Sequence, residues 1–169
     1  PGDTLVIVNN DGVEPVLGTF AGLPEGSAMA NFLGSEYMAT ISYQGGDGND
    51  ITIAGPKVTV TTPVNSVAED DKTPLGFVFK RTGNSDEALT VNFGIAGNAD
   101  PNRDYALVGA TGFTSNSGTV TFAAGSSSAV IELDARADTT VEPDEDVILT
   151  LNPGVDYGIG DFHQAVGTI

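Results

Sequence analysis

The chain has 169 residues, 23 acidic and 6 basic side chains, a formal charge of −17, and neither Cys nor Trp. A field of that sign repels nucleic acid and anionic membrane and attracts cations. Without Cys there is no disulfide scaffold and no thiolate metal site, while a charged fraction of 17% with 40% hydrophobic residues is that of a globular chain rather than an acidic tail.

From the start of the chain, apolar residues recur with period two, as β-strands require. Leu5-Val-Ile-Val8 is apolar on both faces, which predicts a strand covered on both sides, or a pairing site for another molecule if it lies at an edge. Tyr37, Ala39, Ile41 and Tyr43 alternate with Met38, Thr40 and Ser42 and lead into Gln44-Gly-Gly-Asp-Gly-Asn-Asp50. That run is close to the G-G-x-G-x-D-x-U-x calcium repeat of parallel β-helices, but Thr52 stands at the large apolar position and there is one copy where stacked turns are needed. The better reading is a hairpin, with the glycines supplying positive φ in the turn and Ile51 and Ile53 returning on the core face.

A boundary falls near Gly55-Pro56. Residues 1–55 carry seven acids and no Lys or Arg, whereas 56–169 hold all six basic residues. A β unit of this size without disulfides buries a marginal core, so 1–55 is expected to lean on the second domain or on a neighbouring chain. In 56–169 the periodicity predicts seven strands, at about 57–67, 75–82, 89–97, 119–123, 129–136, 147–152 and 163–169. In an antiparallel sandwich, alternate loops share one end. One end then receives Glu69, Asp70, Asp71, Asp100, Asp104, Asp138, Glu142, Asp144, Glu145 and Asp146, and the other Asp86, Glu87, Asp156 and Asp161. Ten carboxylates on one rim repel one another unless a cation sits among them. Calcium, with its 6–8 oxygen ligands on flexible loops, suits such a rim; a solvated acidic face is the alternative.

The same residues carry a family resemblance. Val67-Ala-Glu-Asp70, Leu89-Thr-Val-Asn-Phe93, Arg103-Asp-Tyr105, Gly118-Thr-Val-Thr-Phe-Ala-Ala-Gly-Ser126, Ala137-Asp-Thr-Thr-Val-Glu-Pro-Asp-Glu-Asp146 and Gly167-Thr-Ile169 follow in order. Together they resemble a Calx-β domain over 57–169. The resemblance implies an all-β, seven-stranded, immunoglobulin-like Greek-key sandwich, of the kind found in sodium–calcium exchangers, an integrin β subunit and large bacterial surface proteins. It implies Ca2+ ligands at Glu69, Asp104, Asp138, Glu142 and Glu145. This chain departs from the pattern at Ala137, where calcium-binding members often carry a second Asp, and by stopping at Ile169, before the acids the family uses after its last strand. Gly18-Thr-Phe-Ala-Gly-Leu-Pro-Glu-Gly26, followed by Ile41-Ser-Tyr-Gln-Gly-Gly-Asp-Gly-Asn-Asp50, is similar to a β-strand unit of autotransporter-like bacterial surface proteins.

Other motifs lead elsewhere. Asp100-Pro-Asn-Arg-Asp104 has the D-x-N-x-D spacing of an EF-hand loop but lacks its Gly (Tyr105 stands there) and its bidentate Glu (Thr111). His163, the single His, has no G-x-S-x-G nucleophile to serve, and carboxylate pairs without an aromatic platform are a poor glycosidase site. The expectation is therefore no catalysis. The leading function is a non-enzymatic extracellular or cell-surface structural and adhesion module, with calcium stiffening the rim and the interdomain joint. Its expected partners are neighbouring domains or identical subunits, with no nucleic acid and no membrane insertion. A filament subunit joined by β-strand addition and a carbohydrate-binding or glycan-active module are the alternatives.

Overall fold

The computed structural model describes residues 3–32, 38–70, 73–139 and 142–169. Asp71 of the acidic rim and Tyr37 of the predicted hairpin fall outside them. Among the described residues there is no α-helix, and none therefore long and apolar enough to cross a membrane.

The first segment folds as a four-stranded antiparallel sheet in the order β1 (Thr4–Val8), β4 (Asp50–Ala54), β3 (Ala39–Gly45), β2 (Ala28–Met29). β3 and β4 form the expected hairpin, with Gly46 and Gly48 at φ 58° and 110° in its turn. Gly46 is needed there, because a Cβ would collide with the Asp50 carboxylate. Ala39, Ile41, Tyr43, Ile51 and Ile53 are buried as a core of their own. The preceding loop is tied over this core by long-range polar bonds. The Tyr43 hydroxyl accepts from Phe20 N–H and donates to the Leu23 carbonyl, and the Glu25 carboxylate accepts from Tyr43 N–H and the Ser42 hydroxyl.

β1 corrects an expectation. It lies at the edge of its sheet rather than covered on both sides, and Leu5, Val6, Ile7 and Val8 are each 42–48% exposed. The register against β4 shifts between Val6 and Val8, a bulge of the kind that twists a sheet edge.

Residues from Lys57 onward build two facing sheets. One runs in the order β12 (Gly158–Ile159), β5 (Lys57–Thr61), β6 (Leu75–Arg81), β10 (Ser128–Ala135), β8 (Tyr105–Val108). The other runs β13 (Gln164–Thr168), β11 (Asp146–Leu151), β7 (Leu89–Gly97), β9 (Ser117–Phe122). All seven predicted strands are present. The predicted 57–67 strand is shorter, ending its first ladder at Thr61 and rejoining at Ser66, which bridges to Thr168 in the opposite sheet. Two short strands, β8 and β12, lack a clean alternation; β12 is two residues long and pairs with β5 in parallel. The inward positions of the long strands are apolar or glycine except for Arg81 at the end of β6. Phe77 and Phe79 of one sheet meet Val91 and Phe93 of the other, with the Phe79 and Phe93 rings 6.2 Å apart and tilted by 53°.

Two of the polar side chains inside the sandwich, Arg81 and Tyr157, are anchored, and Tyr105 is not. Arg81, 6% exposed, donates to the carbonyls of Ser126, Glu87, Ser85 and Ala123, and its guanidinium lies 5.3 Å from the Phe122 ring centroid. The Tyr157 hydroxyl accepts from Asn92 N–H at 2.9 Å and donates to the Asn152 carbonyl at 2.6 Å. Tyr105 is fully buried, yet its hydroxyl has no partner among the described residues.

The two units meet at one end of the sandwich. Asn84 N–H donates to Thr40 Oγ1, Gly83 packs on Pro56, and Met38 and Pro56 line a cavity with Glu87 and Asp156. The loops at this end are the acid-poor set.

Removing a buried hydroxyl should therefore separate the two tyrosines. Tyr157→Phe strands an amide and a carbonyl and is expected to lower stability by about 1–3 kcal/mol, whereas Tyr105→Phe should cost less than about 1 kcal/mol. Denaturant melts of both variants check this.

Candidate metal centre

The rim away from the first unit is built by three loops, those after β5, after β7 and after β10. The middle loop is fixed first. Asp100 opens a tight turn: its side chain accepts from Asn102 N–H, its carbonyl accepts from Arg103 and Asp104 N–H, and its own N–H donates to Asp104 Oδ2. Arg136 closes the turn from the side, its N–H donating to the Asp104 carbonyl and its guanidinium to the Asn102 carbonyl. The Asp100–Asp104 run is thus a turn and not an EF-hand, and it places Asp104 at 6% exposure facing the rim.

The loop after β10 is docked against the same turn. Gly97, at φ 125°, lets the chain pass so close to the Asp146 carbonyl that any Cβ would collide with it. Asn98 and Ala99 N–H both donate to that carbonyl, and Asp146 N–H donates back to Asn98 Oδ1. Glu145 is held by a reciprocal backbone pair with Ile169, each N–H donating to the other's carbonyl. Asp146 itself turns away, accepting from the Thr168 hydroxyl.

These constraints bring Asp104, Glu142 and Glu145 together, with one carboxylate oxygen of each within 4.8 Å of the others. Glu142 also lines an adjoining cavity of about 490 Å3, together with Glu69, Asp70, Asp138 and Asp144. Each of the five sequence-derived residues therefore lies on the rim: three form the tight cluster, and Glu69 and Asp138 stand across the cavity. Asp70 and Asp144 line it as well but were not among the five. Ala137 lines the cavity without a carboxylate. His163 is exposed, close to the Asp161 carbonyl and far in sequence from the rim loops.

Crowding shows in the protonation of the acids. Glu145 is pushed above the ordinary carboxyl range, first by the hydrogen bond its protonated form can make with Asp104, then by desolvation and by the charges of Asp104 and Glu142, with Arg103 pulling the other way. Glu69 is raised too, by desolvation and by Asp138, Glu142, Asp104 and Asp70. The charges of Asp100 and Asp104 also reach Tyr105, whose hydroxyl burial pushes up to about 12. Arg103, 61% exposed, is paired with the cluster, with Nη2 3.0 Å from Glu142 Oε1.

A calcium ion fits this donor set. Ca–O distances of about 2.3–2.6 Å place two ligand oxygens of one ion up to about 5 Å apart, which spans the 4.8 Å of the cluster. Glu145 Oε2 is buried with no hydrogen-bond partner among the described residues, an acceptor whose burial is costly without a cation or donor. The cluster offers carboxylate oxygens and no nitrogen or sulfur ligand, a donor set that favours a hard cation such as calcium over zinc.

No sequence profile of a known family matches the chain, and no curated protein sequence does. Solved structures do match. The chain is similar to the apo-form Calx CBD1 domain with a TM-score of 0.52 and 16% identity, over 68% of this chain and 96% of that one. It is similar to Calx CBD2 with a TM-score of 0.50 and 13% identity, over 68% of this chain and 88% of that one. The sandwich has the Calx-β fold. A third match, CBD12 from CALX1.2, has a TM-score of 0.51 and 16% identity over 67% of this chain, which spans 44% of its length. At these identities the likeness establishes the Calx-β fold, while the ligands of this rim rest on its own geometry.

One expectation is corrected by the Calx-β topology. The acid-rich rim and the contact with the first unit lie at opposite ends of the sandwich, because β6 and β7 each run between them. Cation uptake at the rim therefore cannot clamp the joint between 1–55 and 56–169.

The raised carboxyls give the metal-free protein a definite pH response. A carboxyl whose folded pKa is raised binds its proton more tightly in the folded state, so its stabilising contribution is complete below about pH 4.3 and is lost as pH climbs through the raised values. In chelator, the melting temperature is expected to fall as pH rises from the ordinary carboxyl range toward neutrality, and Glu145→Gln should flatten that slope. Thermal melts across this range decide it.

Proposed function

We propose that this chain is a non-enzymatic structural and adhesion module of a large bacterial extracellular or cell-surface protein, with a Calx-β-fold sandwich that takes up Ca2+ at its acidic rim. The convergence of Asp104, Glu142 and Glu145 carries this reading. Asp104 and Glu145 would supply the deeper oxygens, Glu142 would bridge toward the cavity, and Glu69 and Asp138 would close it from the opposite loops. Bound calcium would neutralise the repulsion among these loops and so order the rim. Nothing in this role needs a nucleophile or a proton shuttle, and the exposed His163 has neither beside it.

Calcium at one hundred times its Kd should stabilise the fold by about 2.7 kcal/mol. The expected observation is a higher melting temperature in calcium than in EDTA, lost in the Asp104→Asn/Glu145→Gln double variant. Equal melting temperatures for the wild-type protein in calcium and EDTA would remove the metal from this reading.

A second reading, a filament subunit joined by strand addition, is favoured by the exposed edge strand β1, which offers four consecutive apolar residues and an unpaired rim. Light scattering at rising concentration should then show concentration-dependent association that Val6→Lys suppresses. A strict monomer throughout would end this reading.

A further inference from the structure

Arg103 is a basic side chain placed against the acidic cluster, and its position is not accidental to the fold. It follows from the Asp100 turn, which sets its backbone next to Asp104 and aims its guanidinium across the gap to the loop after β10. There Nη2 donates to Glu142 Oε1 at 3.0 Å. Glu142 is the carboxylate shared between the three-residue cluster and the adjoining cavity. Arg103 thus holds the one acid that both parts of the rim use.

We propose that Arg103 is a tethered counter-cation that occupies Glu142 in the metal-free protein and competes with an incoming divalent cation, so that it sets the rim's affinity. This rests on the calcium reading above. Two effects act in the same direction. A lone pair of Glu142 Oε1 engaged by the guanidinium is withheld from the metal, and the guanidinium repels a dication held a few ångströms away. Asp104 and Asp100 also attract Arg103, so its charge is shared by the whole turn. The Arg103 side chain is 61% exposed and that of Glu142 20%. The arginine can therefore swing into solvent on its own side-chain torsions, leaving Glu142 in place and the backbone unmoved.

The sign follows from Coulomb's law. The nearby acids attract both cations, but the coupling between Arg103 and the metal is that of two like charges, so removing the arginine tightens metal binding. A unit charge and a dication about 6 Å apart in a water-like medium are coupled by about tenfold in affinity, less as salt screens them.

The test is calorimetric titration of chelator-treated protein with calcium chloride, comparing wild type, Arg103→Gln, Arg103→Lys and, as a control for net charge, Lys57→Gln at the opposite end of the sandwich. Arg103→Gln is expected to bind calcium about three- to tenfold more tightly than wild type at low salt, with the gain shrinking as salt is raised. Arg103→Lys and Lys57→Gln should stay within about twofold of wild type, the first because it keeps the charge and the second because it lies at the opposite end of the sandwich, where Coulomb coupling to the rim is weak. In chelator Arg103→Gln should melt below wild type, and in saturating calcium that deficit should close. Calcium binding by Arg103→Gln that is no tighter than that of Lys57→Gln overturns the inference and leaves the calcium reading standing. Absence of binding in wild type and Arg103→Gln alike overturns both; binding in Arg103→Gln alone supports the competition directly.

Discussion

The mutual repulsion of carboxylates held within 4.8 Å of one another at the end of a rigid sandwich is the constraint around which this molecule is organised. Each pair of unit charges at that separation costs about 1 kcal/mol even in water, and more where solvent is excluded. The strands cannot relax it, because their inward residues are locked in a shared apolar core. The loops cannot easily relax it either, since Gly97, the Asp100 turn and the backbone pair between Glu145 and Ile169 fix where the acids emerge. What remains is to bind protons, to bind a cation, or to bring a cation of the chain's own. The upward push on the Glu69 and Glu145 carboxyls favours the first of these, and the pairing of Arg103 with Glu142 supplies the third.

The two ends of the sandwich have opposite characters, and this divides their work. At the junction with the first unit, Arg81 is saturated by backbone carbonyls and Asn84 reaches across to Thr40, so the contact rests on hydrogen bonds and packing. At the rim, carboxylates converge, and Glu145 Oε2 is buried without a hydrogen-bond partner among the described residues. The first unit adds a third surface, the open edge of β1, whose apolar residues are as exposed as its position in the sheet demands.

Much of this was legible in the residue order. Alternation in Leu89–Gly97 and Val147–Leu151 identified strands that pack as expected, because a period-two apolar pattern has one stable partner, a facing apolar sheet. The glycines of 45–48 identified a turn because positive φ leaves few other uses for them. β8 and β12 were not legible: Tyr105–Val108 is four residues with one buried side chain, and Gly158–Ile159 is two, so neighbouring strands rather than local pattern make them strands. Leu5–Val8 was misread as covered because two apolar faces usually indicate two covering layers, and nothing local marks an edge. Arg103 was passed over as part of a motif, although a basic residue directly before Asp104, among the acids of the rim, was a visible signal.

By itself, the sequence determined the all-β class, the sandwich with its alternating core, and the gathering of acids into one set of loops, since periodicity and strand reversal are local and topological properties. Tertiary structure alone decided which of those acids meet, that Glu142 is shared between two parts of the rim, that Arg103 is its counter-charge, and that the rim lies at the far end from the first unit. These are distances between side chains on loops separated by tens of residues. Such distances are set by how the two sheets stack and where each strand ends, which no local pattern records.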